Sequence, residues 1–186
     1  MNSMRVFDAI LTNLAVRNFQ DRPINEEHLQ RILDAGRLCQ SGKNLQPWHF
    51  IVIRDRNLLN RLADLMKGDP DEPIVRRVPL AVALLSDPEY DSHSVDIGRV
   101  AQNMTLAAWE LEVGSCFMWG PEPPDRKPYR EAARALLGIP DRFDFVGLLV
   151  FGYPKQLRMA KQKKRKQLRE IVSENRFGTP FVVGIE

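Results

Sequence analysis

The chain has 186 residues, with 27 Lys+Arg against 24 Asp+Glu and 44% hydrophobic residues. That is enough for a single domain with a real core, and the balance excludes disordered, collagen-like and disulfide-dense classes. No apolar run approaches the roughly 20 residues of a membrane helix, and the mixed polar and apolar start, Met1 to Ile10, is unlike a signal peptide, so a cytoplasmic protein without membrane contact is expected.

Residues 5–15 read as a first helix, ending before Phe19 and Pro23. Asn25 is a good N-cap for a second helix, with Glu26 and Glu27 in its first turn and Leu29, Ile32, Leu33 and Gly36 at helical spacing. His49 to Arg54 is a continuous apolar, β-branched run and so a buried strand. Residues 57–67 read as a helix with Leu58, Leu62, Leu65 and Met66 on one face, and Leu80 to Leu85 as a second buried strand. A long helix over 95–113 carries Ile97, Val100, Ala101, Met104, Ala108 and Leu111. Residues 116–119 suit a short strand, the proline-rich stretch 120–128 a loop, and 128–137 a helix ended by Gly138 and Pro140. Residues 145–151 form a last buried strand. Helices alternating with buried strands predict a sheet covered on both faces.

After residue 154 the composition changes. Residues 155–169 hold eight basic and no acidic side chains, which leaves 19 basic against 24 acidic elsewhere. The positive charge is therefore a local device, suited to a phosphate, to nucleic acid or to a solvated face. No aromatic interleaving or recognisable motif points to nucleic acid. Phe181 to Ile185 is an isolated β-like stretch that needs an edge, either of its own sheet or of a partner subunit.

Chemistry-bearing residues are sparse. The loop Ser41-Gly-Lys-Asn-Leu-Gln-Pro-Trp-His-Phe50 is dense in groups that suit a planar polar ligand: Ser41, Lys43, Asn44 and Gln46, then Pro-Trp at a strand entrance. Arg17 by itself reads as a surface salt bridge, and Asp96 as a first-turn partner of the helix dipole. His28 and His93 lie in polar contexts and read as surface residues. Cys39 and Cys116 lack metal-ligand spacing and read as free buried thiols, with one disulfide the alternative. There is no P-loop, GxGxxG, GxSxG or HExxH motif. With no acid–base apparatus in view, either a cofactor carries the chemistry or there is none.

In order and spacing, several segments together resemble the FMN-dependent nitroreductase family in its short form, over nearly the whole chain. Val16-Arg-Asn-Phe19 with Pro23 resembles its opening VRxF…P segment, and Ser41 to Phe50 its SxxNxQPWxF signature. Asp96 to Ala108 resembles its long central helix, Leu137-Gly-Ile-Pro140 and Phe151-Gly-Tyr-Pro154 its later landmarks, and Lys163 to Val172 its basic segment before a C-terminal arm.

The resemblance implies one α/β (α+β) domain over 1–186, a three-layer α-β-α sandwich with a mixed central sheet. It implies that 155–186 form a basic segment and an arm that crosses to the partner of a homodimer. It implies FMN at each subunit interface, no metal, and no catalytic side chain, the flavin carrying the chemistry. By position, Lys163 and Arg165 would hold the FMN phosphate, with Ser41, Lys43, Asn44 and Gln46 belonging to the cofactor loop. Ser41 and Asn44 would reach the flavin from the other subunit. Arg17 would lie at the pyrimidine edge, where positive charge favours the reduced ring, and Trp119 and Gly120 would offer a backbone N–H to the reactive ring nitrogen. The implied reaction is two-step (ping-pong), hydride passing from NADH or NADPH through flavin to a small acceptor such as a nitroaromatic or a quinone.

The chain departs from the family where Arg-Arg-Ser usually stands before VRxF, since it has Asn13, Leu14 and Ala15. A lost charge-assisted hydrogen bond is worth about 1.5–3 kcal/mol, roughly tenfold to a hundredfold in affinity. Lys43, Lys164 and Lys166 are candidates to compensate. The usual Leu-Gly-Leu-Gly after the central helix becomes Leu111-Glu-Val-Gly114. The departure supports an alternative, a flavin-binding or flavin-storage protein of the same fold with little reductase activity. A basic anion- or nucleic-acid-binding module, and a flavin-dependent dehalogenase or flavin-cleaving enzyme, are further readings. No extra lid segment supports the last. Substrate-facing residues are expected in the loop 67–77 and around 117–128.

Overall fold

A computed structural model describes residues 4–118, 126–156 and 163–181. In chain order the elements are α1 (Val6–Thr12), α2 (Glu26–Arg37), a 3₁₀ turn (Gly42–Asn44), β1 (Trp48–Ile53), α3 (Arg56–Leu65), α4 (Glu72–Arg77), β2 (Leu80–Ser86), α5 (His93–Glu110), β3 (Gly114–Met118), α6 (Arg126–Leu137), β4 (Asp144–Gly152) and α7 (Leu168–Ile171). The sheet order is β1-β2-β4-β3.

The sheet explains why its strands read as unbroken apolar runs. β2 is buried at all seven positions because it has a strand on each side and helices on both faces. Its Ala81, Ala83 and Leu85 point into one core with Leu59, Leu62, Val75 and Ala133 of α3, α4 and α6. Its Leu80, Val82 and Leu84 point into the other, with Leu29 and Ile32 of α2 and Ile97, Val100, Met104 and Ala108 of α5. The architecture is thus three layers, as the sequence implied. The three ladders are antiparallel, and parallel pairing among the described residues is confined to a bridge from Ala15 to Ser115. The sheet is therefore antiparallel rather than mixed as expected, because each strand runs opposite to its hydrogen-bonded neighbour. α5 links β2 to the parallel strand β3, and β4 enters antiparallel between them.

A bulge in β4 sets its two faces. Leu84 pairs with Gly147 but Leu85 pairs with Phe145, so Val146 is the extra residue. Without it, strict alternation would put Phe145 and Leu148 on opposite faces. With it, both enter the core beneath α3 and α6. On the other face α2 crosses α5 at Gly36, where a Cβ would stand 2.8 Å from Met104 Cγ.

Some expectations need correction. The first helix ends at Thr12, not residue 15, because Asn13 turns to an extended conformation and Val16 N–H donates to Ser115 O at 2.9 Å. Sheet pairing outweighs local helix preference there. Half of the expected loop 67–77 is helix α4, with Pro73 in its first turn. His28 and His93 are half-buried rather than on the surface. Their Nδ1 atoms lie 3.1 Å from Tyr153 Oη and Ser86 Oγ. Cys39 and Cys116 are free and buried.

Gly147 has a neighbour that cannot give way. A Cβ on it would lie 2.6 Å from the Met118 carbonyl oxygen. Gly147→Ala is expected to cost at least 1–3 kcal/mol, read as a lower urea midpoint with an unchanged slope. Burial also pushes both cysteine thiols above their ordinary pKa. Neither is expected to react with a disulfide reagent at pH 8 until the protein is unfolded.

Candidate functional site

The loop before β1 is the most strained segment described. Three of its residues have left-handed backbones, Lys43 (φ 50°), Asn44 (φ 57°) and Gln46 (φ 50°), against two other non-glycine cases elsewhere, Glu112 and Asn175. Each such residue costs about 1–3 kcal/mol and persists only where its surroundings over-determine it; such residues cluster at functional sites. The loop restrains itself in part. Gln46 N–H donates to Ser41 Oγ at 2.9 Å, and Asn44 N–H donates to Ser41 O at 3.1 Å. Gln46 Nε2 donates to Asn44 O at 3.3 Å, so that amide is spent inside the loop. Ser41 keeps its hydroxyl proton for another acceptor. Lys43 and Asn44 are exposed.

The other candidates lie at the opposite end of the sheet. Arg17 sits between Val16, bonded to Ser115 O, and Asn18, whose carbonyl accepts from Lys155 N–H at 3.0 Å. It lines a cavity of about 430 Å³ with Leu14, Ala15, Val16, Asn18, Lys155 and Gln156. The expected surface salt bridge of Arg17 is not found among the described residues. Instead its charge acts on Asp71 and Cys116. Burial, then the neighbouring Asp69, push the Asp71 carboxyl up, and Arg17 partly offsets this. Arg17 likewise opposes the burial that raises the Cys116 thiol.

Lys163 reaches the same end. Its Nζ donates to the Ile10 carbonyl at 2.7 Å. That carbonyl is in the last turn of α1, whose C-terminal oxygens have no helical partner and favour a cation. Burial, with Arg165 nearby, holds the Lys163 ammonium below its ordinary pKa. Arg165 Nη1 donates to the Lys164 carbonyl at 2.8 Å. Two cations are therefore packed together with no carboxylate on either among the described residues.

The structure thus groups Ser41, Lys43, Asn44 and Gln46 in one loop, and places Arg17 and the Lys163–Arg165 pair towards the other end of the sheet. It does not bring the two groups together. Pro47 adjoins Asp87 just beyond Ser86, whereas Ser115 lies across β4 from Leu80. The length of β2 between them is about 20 Å at ~3.3 Å per residue. Trp119 and Gly120 lie outside the described residues, as do residues 182–185 of the expected terminal strand.

Three functional candidates escaped the sequence reading. Lys155 and Gln156 line the Arg17 cavity, and Asp71 faces Arg17. Asp96 is more than a dipole partner. It is 2% exposed, accepts from Ser92 Oγ at 2.9 Å and pairs with Arg99 at 3.4 Å. Its spacing to Arg99, three residues along a helix, was the available signal. No group of three or more His, Cys, Asp or Glu among the described residues could hold a metal.

The description of the Nitroreductase family matches residues 14–88 and 72–153. A curated protein of Archaeoglobus fulgidus, with the provisional name NADH dehydrogenase/NAD(P)H nitroreductase, is 34% identical over 151 residues, covering 78% of this chain and 83% of its own. A solved structure from Desulfovibrio desulfuricans, provisionally described as a nitroreductase in complex with FMN, has a TM-score of 0.78 at 27% identity, covering 94% of this chain and 98% of its own. An FMN-dependent nitroreductase from Clostridium difficile R20291 superposes with a TM-score of 0.82 at 24% identity, over 92% of this chain and 99% of that one. With the family match extending over residues 14–153, which include the Ser41 loop and Arg17, this chain belongs to the nitroreductase family.

Proposed function

We propose that this protein is an FMN-dependent oxidoreductase, working as a homodimer with two composite sites. The observation that carries the reading is the paired cation cluster, Lys163 with Arg165, at the last turn of α1. Lys163 is held below its ordinary pKa by burial and by Arg165. No carboxylate among the described residues pairs with this cluster, and a phosphate dianion fits its chemistry, with Arg as a fork and Lys as a point charge. Family membership makes NAD(P)H the donor class and oxidoreduction the activity.

Bound FMN would supply hydride acceptance from NAD(P)H and its delivery to a small acceptor such as a nitroaromatic or quinone. The chain's own residues do the rest. Lys163 and Arg165 bind the phosphate. Arg17 places positive charge at the pyrimidine edge. Ser41 donates its remaining hydroxyl proton, and Lys43 and Asn44 present exposed side chains. Gln46 shapes the loop through its own amides. Trp119 and Gly120 are assigned the backbone contact to the ring by family position.

The second copy follows from distance. One mononucleotide held by Lys163 and Arg165 does not reach the same chain's Ser41 loop, because β2 separates them. A second copy supplies the loop. Two observations favour it. α1 buries only Ala9 and exposes Val6, Phe7, Ile10 and Leu11 in a row. The described part of residues 155–186 exposes Leu168, Ile171 and Phe177 rather than packing them on its own sheet. The basic segment and arm therefore belong to the partner contact. No helix among the described residues is long and apolar enough to cross a membrane.

A flavin-binding protein with little reductase activity is favoured by one observation, that Asn13, and Leu14 and Ala15 of the cavity wall, bring neither cation nor hydroxyl.

Purified protein is expected to absorb as a flavoprotein, to release FMN on heating and to oxidise NAD(P)H. FMN without oxidation selects the storage reading, and protein that stays colourless with excess FMN overturns both. Arg165→Ala is expected to weaken FMN by about tenfold to a hundredfold in a fluorescence titration. Light scattering is expected to return a dimer mass.

A further inference from the structure

We propose that Arg99 is a positioning residue that clamps the strained loop Ser41–Gln46 in its flavin-facing shape, an inference that rests on the flavin reading above. The loop's side-chain hydrogen bonds run between its own residues, and its exit is fixed to β1 by Trp48 N–H donating to the Gln46 carbonyl at 2.8 Å, which leaves its entrance to be held. Three left-handed residues in so short a span need outside support.

The support comes from α5. Gln40, next to Ser41, accepts through its side-chain carbonyl from Arg99 Nη2 at 3.0 Å. The other terminal nitrogen of Arg99 lies 3.4 Å from Asp96 Oδ1. Asp96 is 2% exposed, and its second oxygen accepts from Ser92 Oγ at 2.9 Å. Ser92 is also the seat of the loop, since a Cβ on Gly42 would stand 3.3 Å from Ser92 Oγ. A buried carboxylate thus holds both anchors of the loop, Ser92 directly under Gly42 and Arg99 on Gln40.

Only a fork can make this link, because two separate nitrogens of one guanidinium serve the two partners. A lysine offers a single nitrogen for the same task. Arg99 is itself half exposed, so it can be removed without opening a core cavity. Among the described residues its hydrogen bonds go to Gln40 and Asp96, neither of which is assigned to the flavin.

The test uses the full-length protein with Arg99→Ala, Arg99→Lys, Gln40→Ala and Gln40→Glu. Two readouts are needed: FMN affinity, and hydrogen exchange at the Asn44, Leu45 and Gln46 amides of flavin-free protein. Gln40→Ala cuts only the loop end and leaves the Arg99–Asp96 pair, so it reports on the clamp even if Arg99→Ala lowers the melting temperature. Arg99→Ala and Gln40→Ala are expected to speed exchange at these amides and weaken FMN by about tenfold each. Gln40→Glu, which keeps an acceptor for Arg99, is expected to match the wild type, and Arg99→Lys to fall between. Unchanged exchange and affinity in both alanine variants, in a wild type that binds FMN, overturn the clamp and leave the flavin reading standing. A wild type that binds no FMN overturns the flavin reading and the positioning role with it.

Discussion

The separation imposed by β2 is the constraint on which the rest of this molecule depends. The strand is buried along its whole length, so no polar group can be built midway along it without an unpaired buried cost. Polar chemistry is therefore pushed to the two ends of the sheet. One end receives the Ser41 loop, entering β1 opposite Ser86. The other receives Arg17 and the basic segment, where Ser115 and Phe151 close the sheet. A ligand that needs both ends needs two chains. The apolar row on α1 and the unpacked terminal segment then become parts of one arrangement rather than separate oddities.

How much of this was legible in the sequence varied by the kind of signal. Buried strands and amphipathic helices were readable because their apolar spacing is local. Val100, Met104 and Ala108 on α5 are an example. α4 was hidden because Pro70 and Pro73 look like loop punctuation, although proline is well tolerated in a helix's first turn. The end of α1 was misread because Ala15 and Val16 are held by a strand about a hundred residues away. The bulge at Val146 was invisible for the same reason. It exists to reconcile two faces of a sheet, and neither face is written in the segment alone.

The site followed the same rule. Lys43, Asn44 and Gln46 were readable with Ser41 as a dense polar loop, but their strained backbone was not, because Asn44 alone among the three is a residue type that readily takes a left-handed turn. The histidines were misplaced because their partners, Tyr153 and Ser86, lie on strand ends rather than nearby on a helix. Asp96 looked like a simple helix-dipole partner, and its burial emerged only once α5 packed against the sheet.

The departure at residues 13–15 has an electrostatic consequence that the fold partly answers. The C-terminal turn of α1 carries partial negative charge, which is the unfavourable end of a helix for a phosphate. A sequence with arginines just past that turn would cancel it locally. This chain has Asn13, Leu14 and Ala15 there, so the cancelling charge must arrive from elsewhere. Lys163 brings it from about 150 residues away, bonded to the Ile10 carbonyl. Neutralising the helix end occupies part of its charge, however, and Arg165 is left to meet an anion with its guanidinium free of carboxylates among the described residues. Part of the basic run is thus spent on α1. Binding at this end then responds more steeply to loss of Arg165 than to loss of Lys164 or Lys166, which add only screened charge at the surface.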